Sequence, residues 1–561
     1  MSLGPSHYEA NQQQIDVAIL ARRQLMIEKD RLLQFFDTSV AIQDDVLLAA
    51  LKQDATDKMQ DITTTIQAEQ NQIIRDRQHA VVLVNGVAGS GKTSTIMQRI
   101  AYLLYSFRQQ MSADNCLILS PNNRFIDYIA DVLPALGEQT PLNLTILQFV
   151  QRYLAQPLEN EADYFARISQ THVEPHSALL RSRAFLEFIK NADHTPAPAD
   201  LFQAVTYRGR PLITKDTVLA LYQQTPGHSL QAKVQATKKQ LSSLWERKLV
   251  RQARSQRIHN QLAALSEDQQ LHAFGELIAD DSEASLTNYA YRLLTKKYQT
   301  ISQQIADNAW LQPHVLFEQL FFAYSGEQYR FHTPTYTLDE AIAFLMIQHC
   351  LIEKIASPQT RYLFVDEVQD YTPAQLMLLA ELFPKADYTM VGDQNQAIFN
   401  SQVTFAEIAA QFKQRTLKNY PLRHSYRSTG AITKLFEQLS SQPLTIVPVR
   451  PYGAEPVYYP LHSAQDLLEI IENAEPKPVI LTKTHEEAET LQPILAANQQ
   501  PVLTLPISLA KGLEFDHVLL YDISAQNYHT ERDQKILYTA VSRSMQTLAI
   551  SYRGEKSPLL P

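Results

Sequence analysis

Residues Val81 to Thr93 read Val-Val-Leu-Val-Asn-Gly-Val-Ala-Gly-Ser-Gly-Lys-Thr, an apolar run that enters a glycine-rich loop. The chain has only 14 glycines in 561 residues, yet Gly86, Gly89 and Gly91 fall together here. Glycine lets the backbone curl around an anion and turn its N–H groups inward. With Ser90 between them, these residues frame a phosphate-binding loop. Lys92 reaches the β- and γ-phosphates, the Thr93 hydroxyl takes Mg²⁺, and a helix from about Ser94 adds its positive N-terminus. A second apolar run, Leu363-Phe364-Val365, ends in Asp366-Glu367-Val368-Gln369-Asp370. Hydrolysis of a nucleoside triphosphate needs one carboxylate near Mg²⁺ and another that polarises the attacking water. Asp366 suits the first role and Glu367 the second.

The elements around these residues must hold them at one edge of a sheet. From 81 onward strand and helix alternate: strand 81–85, helix 93–107, strand 116–120, helix 123–135, then Leu144 to Ile146. Such alternation predicts a parallel sheet with helices on both faces. Residues 150–335 break the pattern. They read as mostly helical and glycine-poor, with one hairpin over Val205 to Thr214 turning at Arg208-Gly209. Strands at Tyr362 to Val365 and Tyr388 to Val391 then resume the alternation, so 150–335 reads as an insertion. A second α/β run follows, with strands near 457–460, 479–482, 502–505, 517–521 and 547–551. Before all of this, residues 1–36 look like strands, with a hairpin turning at Lys29-Asp30. Asp44 to Lys58 and Ile66 to Arg75 read as short helices.

Composition sets limits. A chain of 561 residues exceeds one core. The net charge of −9 leaves nucleic-acid binding to a local basic patch. Cys116 and Cys350 lie far apart in apolar surroundings and read as buried thiols, with no metal pattern. No apolar run reaches the ~18 residues of a membrane span, and the N-terminus is no signal peptide. A reducing cytoplasm is the expected compartment, with no membrane partner.

The two chemical motifs together resemble a superfamily 1 helicase motor of the UvrD/Rep type, and further motifs fall in that family's order. Gln70, in Ile66-Gln-Ala-Glu-Gln70, matches the glutamine that reads adenine, which makes the implied cofactors ATP and Mg²⁺. Gly392-Asp-Gln-Asn-Gln396-Ala-Ile-Phe399 matches the third motif, whose Gln396 senses γ-phosphate. In the fourth, Ser425-Tyr426-Arg427, Tyr426 would stack on adenine and Arg427 would contact γ-phosphate. Lys511-Gly512-Leu-Glu514-Phe matches the fifth, near the ribose and phosphates. Leu537-Tyr-Thr-Ala-Val-Ser-Arg543 matches the sixth, where Arg543 would be an arginine finger. The implied fold is α/β with two RecA-like motor domains and a mostly helical insertion in the first. The expected division is a remnant N-terminal region over 1–64, a first motor domain over 65–149 and 336–414, the insertion over 150–335, and a second motor domain over 415–561.

Stretches outside the motifs resemble one branch, the HelD or DNA helicase IV-like family. They are Lys58-Met-Gln-Asp-Ile-Thr-Thr-Thr-Ile-Gln-Ala-Glu-Gln, Leu119-Ser-Pro-Asn-Asn-Arg-Phe, Val132-Leu-Pro-Ala-Leu-Gly-Glu and Leu509-Ala-Lys-Gly-Leu-Glu-Phe-Asp. Gram-positive members bind RNA polymerase and use ATP to free it from nucleic acid. The resemblance implies DNA, the RNA polymerase core, or both as partners, a monomer, and the bacterial cytoplasm near the nucleoid. The family's N-terminal coiled-coil arm has no counterpart before residues 4–36.

Two outputs compete with polymerase release: DNA-stimulated 3′-to-5′ unwinding, and an ATP-gated binding protein of slow turnover. Phe399-Asn400-Ser401-Gln402 lacks the aromatic and arginine pattern of UvrD-like enzymes. Ile507-Ser-Leu-Ala replaces their Thr and His. The short stretch between Thr482 and Ser508 leaves no room for their large mobile subdomain. For nucleic acid speaks a basic run over 233–257: Lys233, Lys238, Lys239, Arg247, Lys248, Arg251, Arg254 and Arg257, against the single acid Glu246. Such a helix suits DNA, RNA or an acidic channel wall. Its Trp245 either stacks on a base or packs, and packing is the commoner fate.

Overall fold

Val81–Gly86 has no polar alternation, the pattern of a strand covered on both faces, and its first four side chains are fully buried. It lies inside a six-stranded sheet whose spatial order is Leu417–Leu422, Val81–Gly86, Asp387–Gly392, Tyr362–Val365, Cys116–Leu119 and Leu142–Leu144. Every pairing in it is parallel. The loops after Gly86, Val365 and Gly392 therefore leave from the same edge, where ligands of open α/β sheets bind. A second sheet of five parallel strands runs Val457–Pro460, Ser544–Tyr552, Phe515–Leu520, Val479–Thr482 and Thr504–Pro506. The fold class is thus the α/β architecture expected, with two parallel sheets and a helical insertion.

This computed structural model describes residues 4–10, 13–20, 23–28, 31–37, 68–121, 141–170, 174–278, 280, 282–332, 334–355, 359–399, 403–441, 445–498 and 502–561. The helices expected at 44–58 and 123–135 lie outside the described residues, as do most of the HelD-like stretches before 140 and residues 400–402. Strands Gly4–Ala10 and Gln13–Ile19 pair antiparallel, as do Arg23–Glu28 and Arg31–Asp37.

Strand Leu417–Leu422 begins beyond 414, yet it hydrogen-bonds to Val81–Gly86, so the first sheet takes in residues up to 422. Its sequence, Leu-Lys-Asn-Tyr-Pro-Leu, carries two polar residues and a proline. Those fit an edge strand, where one side of the backbone needs no partner. The last strand before the insertion, expected over 144–146, forms over Leu142–Leu144 instead, because Thr145 caps the helix that starts at Ile146.

The insertion folds around helix Leu230–Ala253, whose residues Leu230, Val234, Thr237, Leu241, Trp245, Leu249 and Ala253 are buried at helical spacing. The expected hairpin is present: Val205–Tyr207 pairs with Arg210–Ile213, and Arg208 (φ 50) and Gly209 (φ 77) supply the two left-handed residues of a tight turn. Helix Leu338–Ile347 is buried along its whole length, including Asp339 and Glu340. Asp339 is paired with Arg181 (2.8 Å) and Arg167. Glu340 accepts from Tyr329, His332 and Thr337, so neither charge is left bare. Among the described residues no helix is long and apolar enough to cross a membrane.

Candidate active site

The phosphate loop leaves strand Val81–Gly86 and enters helix Lys92–Ser106. Gly89 (φ 71) and Gly91 (φ 74) take left-handed conformations that turn the backbone around a central hollow. Space matters as much as angle at these two positions. A Cβ on Gly91 would lie 1.7 Å from the Tyr426 hydroxyl oxygen and 3.0 Å from Gln70 Nε2. One on Gly89 would lie 2.8 Å from Arg427 Cβ. Gln70 and the fourth-motif segment therefore rest directly on the loop, and Tyr426 N–H donates to the Gly89 carbonyl at 3.1 Å. Lys92 Nζ folds back onto the Gly86 and Val87 carbonyls at 2.9 and 3.1 Å. Gln70 Nε2, Ser90 Oγ and Ser425 Oγ are buried without a hydrogen-bond partner. Buried polar atoms normally have one, so three orphans around one loop fit a polar ligand seated there.

The carboxylates occupy the neighbouring strand end. Asp366 Oδ1 accepts the Glu367 N–H at 2.9 Å, and Glu367 takes a left-handed φ of 49, a strained state for a side chain of its size. Gln369 Nε2 donates to Glu367 Oε2 at 2.5 Å, while its Oε1 accepts the Asp393 N–H at 3.0 Å. Burial, reinforced by the Glu367 charge, pushes Asp366 up to about 7. Burial pulls Glu367 the same way. The charges of Lys511 and Lys92 and the Gln369 hydrogen bond outweigh it, and Glu367 stays below the usual carboxylate range. The pair thus separates into one carboxyl that a cation would ionise and one already poised as a base.

The segment after strand His424–Ser425 and the loops of the second sheet supply the opposite wall. Arg427 Nη2 pairs with Glu514 Oε1 at 2.7 Å. Arg543, 3% exposed, is held by the Thr539 and Leu513 carbonyls, both at 3.2 Å, and by Ser542 Oγ at 3.1 Å. Burial and the nearby Arg427 charge lower its pKa. Gln396 Nε2 donates to the same Ser542 Oγ at 3.4 Å. One cleft is lined by the Ala88–Ser94 loop together with Glu367, Gln396, Tyr426, Arg427, Gly512, Glu514 and Arg543. Gln70 sits against Gly91 at its side. Asp366 lies behind the wall, near enough to Lys92 to feel its charge.

Sequence reasoning gave five residues of this network no role. Tyr538 hydroxyl donates to Asp393 Oδ2 at 3.0 Å and receives the Ala88 N–H at 3.4 Å. Lys511 Nζ bridges Asp370 Oδ1 (2.5 Å) and the Gln396 carbonyl (2.7 Å). Gln369 and Asp393 complete it. All sit within the quoted motifs, but their partners are distant in sequence. On the insertion, the basic run divides. Lys239, Arg247, Arg251 and Arg254 are exposed on one side of helix Leu230–Ala253 and at its end. Lys238 instead pairs with Glu353 at 2.7 Å, and Lys248 donates to the Leu212 carbonyl at 2.8 Å. These two are anchors, which narrows the expected six-residue cluster. Trp245 is buried edge-on against Tyr298, with no face free for a base.

A fold of two RecA-like sheets facing one phosphate loop defines a P-loop motor. The UvrD/REP helicase N-terminal domain family matches residues 66–416, and the UvrD-like helicase C-terminal domain matches 501–551. The chain belongs to the UvrD/REP helicase family and is an ATP-dependent enzyme of that class. No curated protein matches it significantly. Among solved structures it is similar to the C-terminal domain of a possible DNA helicase from Lactobacillus plantarum WCFS1 (28% identity, 24% of this chain, 91% of that one, TM-score 0.21). It is also similar to arterivirus nonstructural protein 10, a helicase solved with DNA (21% identity, 34% of this chain, 39% of that one, TM-score 0.23).

Proposed function

We propose that this chain is a HelD-like motor that hydrolyses ATP to remodel nucleic-acid complexes and releases or recycles RNA polymerase. The observation that carries the ATPase is the cleft built jointly by the two sheets. At it the phosphate loop and Lys92 would bind the triphosphate, Thr93 and Asp366 would hold Mg²⁺, and Gln70 and Tyr426 would receive the base. Bound Mg²⁺ would neutralise charge on the phosphates. Glu367 accepts the proton of the attacking water, oriented by Gln369. Gln396 senses the γ-phosphate, while Arg427 and Arg543 approach it from the second unit. Gly512 and Glu514 line the ribose side. Arg427→Ala and Arg543→Ala should each slow turnover by on the order of 10³ or more. Near-wild-type rates would remove them from the mechanism.

Polymerase rather than a tracked strand is favoured by Phe399. An unwinding motor needs free aromatic faces for bases. Phe399 is 7% exposed, its ring packed against Phe165 and under Lys511 Nζ. The HelD-like stretches outside the motifs support the same reading. The exposed cations on helix Leu230–Ala253 favour the second reading, a DNA-stimulated 3′-to-5′ helicase. Steady-state ATP hydrolysis at fixed low salt, alone, with single-stranded DNA and with core RNA polymerase, separates them. Stimulation by polymerase alone supports the first, and strong stimulation by DNA alone transfers the assignment to the second.

A further inference from the structure

Arg532 lies at the start of helix Glu531–Val541, outside the motifs. Its guanidinium reaches two other parts of the molecule. Nε donates to the Ile398 carbonyl at 3.2 Å, at the end of the third motif. Nη2 and Nη1 donate to the Ser169 and Gln170 carbonyls at 2.7 and 3.2 Å. Those carbonyls end the insertion helix Glu161–Ser169, where the chain turns to an extended conformation (ψ 144 at Gln170). A helix C-terminus exposes unsatisfied carbonyls and a partial negative charge, so a cation supplied from another unit caps it favourably.

The surroundings make this more than a cap. Phe165, on the same insertion helix, packs its ring 5.6 Å from that of Phe399, and Lys511 Nζ lies 5.3 Å from the Phe399 centroid on the second unit's side. Arg167, also on that helix, is held by Glu159 (2.6 Å) and by buried Asp339. A displacement at Ser169 is therefore passed to Asp339 and through it to Arg181 of the insertion. Helix Glu531–Val541 carries Arg532 at one end and runs past Tyr538 to Arg543 just beyond the other. At ~1.5 Å per residue it is a rod whose two ends move together.

We propose that Arg532 is a positioning residue that transmits closure of the second motor unit on the nucleotide to the helical insertion. Motion that brings Arg543 toward the γ-phosphate pulls or releases the end of helix Glu161–Ser169 through the Ser169 and Gln170 carbonyls. The insertion thereby changes state with the nucleotide. This rests on the motor reading only in requiring that ATP close the two units.

The test is hydrogen exchange over residues 161–170 of the whole chain, with and without Mg²⁺ and a non-hydrolysable ATP analogue, with ATP turnover measured on the same preparations. The wild type should change its protection there on binding the analogue. Arg532→Gln should keep turnover within about twofold of wild type but lose that response. Arg532→Lys should restore part of it, since an ammonium reaches a carbonyl but cannot fork across three. Phe165→Leu should weaken the response without touching Arg532, which guards against a folding defect in one variant. A wild-type response retained in Arg532→Gln overturns the proposal, as does turnover in the wild type with no response in the insertion. Absence of wild-type turnover overturns the motor reading instead.

Discussion

Lys92 and Glu367 divide nucleotide binding from chemistry between two side chains. Lys92 spends its donors on its own loop's carbonyls, and a triphosphate would offer stronger, charged acceptors in the same place. Lys92→Ala should therefore abolish ATP turnover, and retained hydrolysis would refute the loop assignment. Glu367→Gln keeps the shape of the site but cannot accept a proton. It should bind ATP and fail to hydrolyse it, as read by a filter-bound nucleotide assay beside a phosphate-release assay. Asp370 gives a pH signature. Burial outweighs the attraction of Lys511 and lifts its carboxyl from 3.8 to about 6. Between those values the folded chain holds a proton that the unfolded chain has lost. The resulting stability is full below the lower value and lost as pH rises through about 6. Buried Asp366 acts in the same direction up to about 7. Asp370→Asn should make the unfolding free energy fall less steeply over the lower part of that window. Denaturant titrations across the pH range measure it, and an unchanged slope would mean Asp370 is not the group that titrates.

Elements explain which parts were legible in the sequence. The phosphate loop, the Asp366-Glu367 strand end and the hairpin at Arg208-Gly209 are encoded by neighbours along the chain, so spacing alone exposes them. Strand Leu417–Leu422 was missed because an edge strand needs no apolar alternation, and its pairing with Val81–Gly86 is set by a distant segment. Tyr538 and Lys511 were visible only as motif letters. Their partners, Asp393 and Asp370, lie on the other sheet's loops, and no local pattern announces such a pairing. The basic helix shows the same limit. Sequence counts its cations, but only packing tells Lys238 and Lys248, which face internal acceptors, from Lys239, Arg247, Arg251 and Arg254, which face solvent. Replacing those four by glutamine should weaken binding of a polyanion and reduce its salt slope by about 0.7 to 0.9 for each phosphate no longer neutralised. Removing Lys238 and Lys248 should cost stability rather than slope. An unchanged slope in the fourfold variant would make the stripe an ordinary solvated face.

At the scale of the molecule, side chains bridge the two motor units across the cleft. Lys511 joins Asp370, and Tyr538 joins Asp393 and the Ala88 N–H, while within the second unit Arg427 is taken by Glu514. These bridges lie where the two units must close on ATP. Arg427 must leave Glu514 to meet a γ-phosphate, and the bridges decide how easily the units stay together while it does. Lys511 is the test of that balance, because its side chain is 7% exposed and joins Asp370 to the Gln396 carbonyl across the units. In Lys511→Met the buried Asp370 loses its cation and will take up a proton, so the cost falls on closure rather than on folding. A motor whose competent, closed state is less populated binds ATP more weakly in proportion to that population. The expected result is a KM for ATP raised several-fold, roughly as the closed fraction falls, with a smaller loss of kcat at saturating ATP. A fall in kcat with KM unchanged would mean that Lys511 acts on the chemical step through the Glu367 charge, and no change in either would mean that the Tyr538 contacts suffice to hold the two sheets across the cleft.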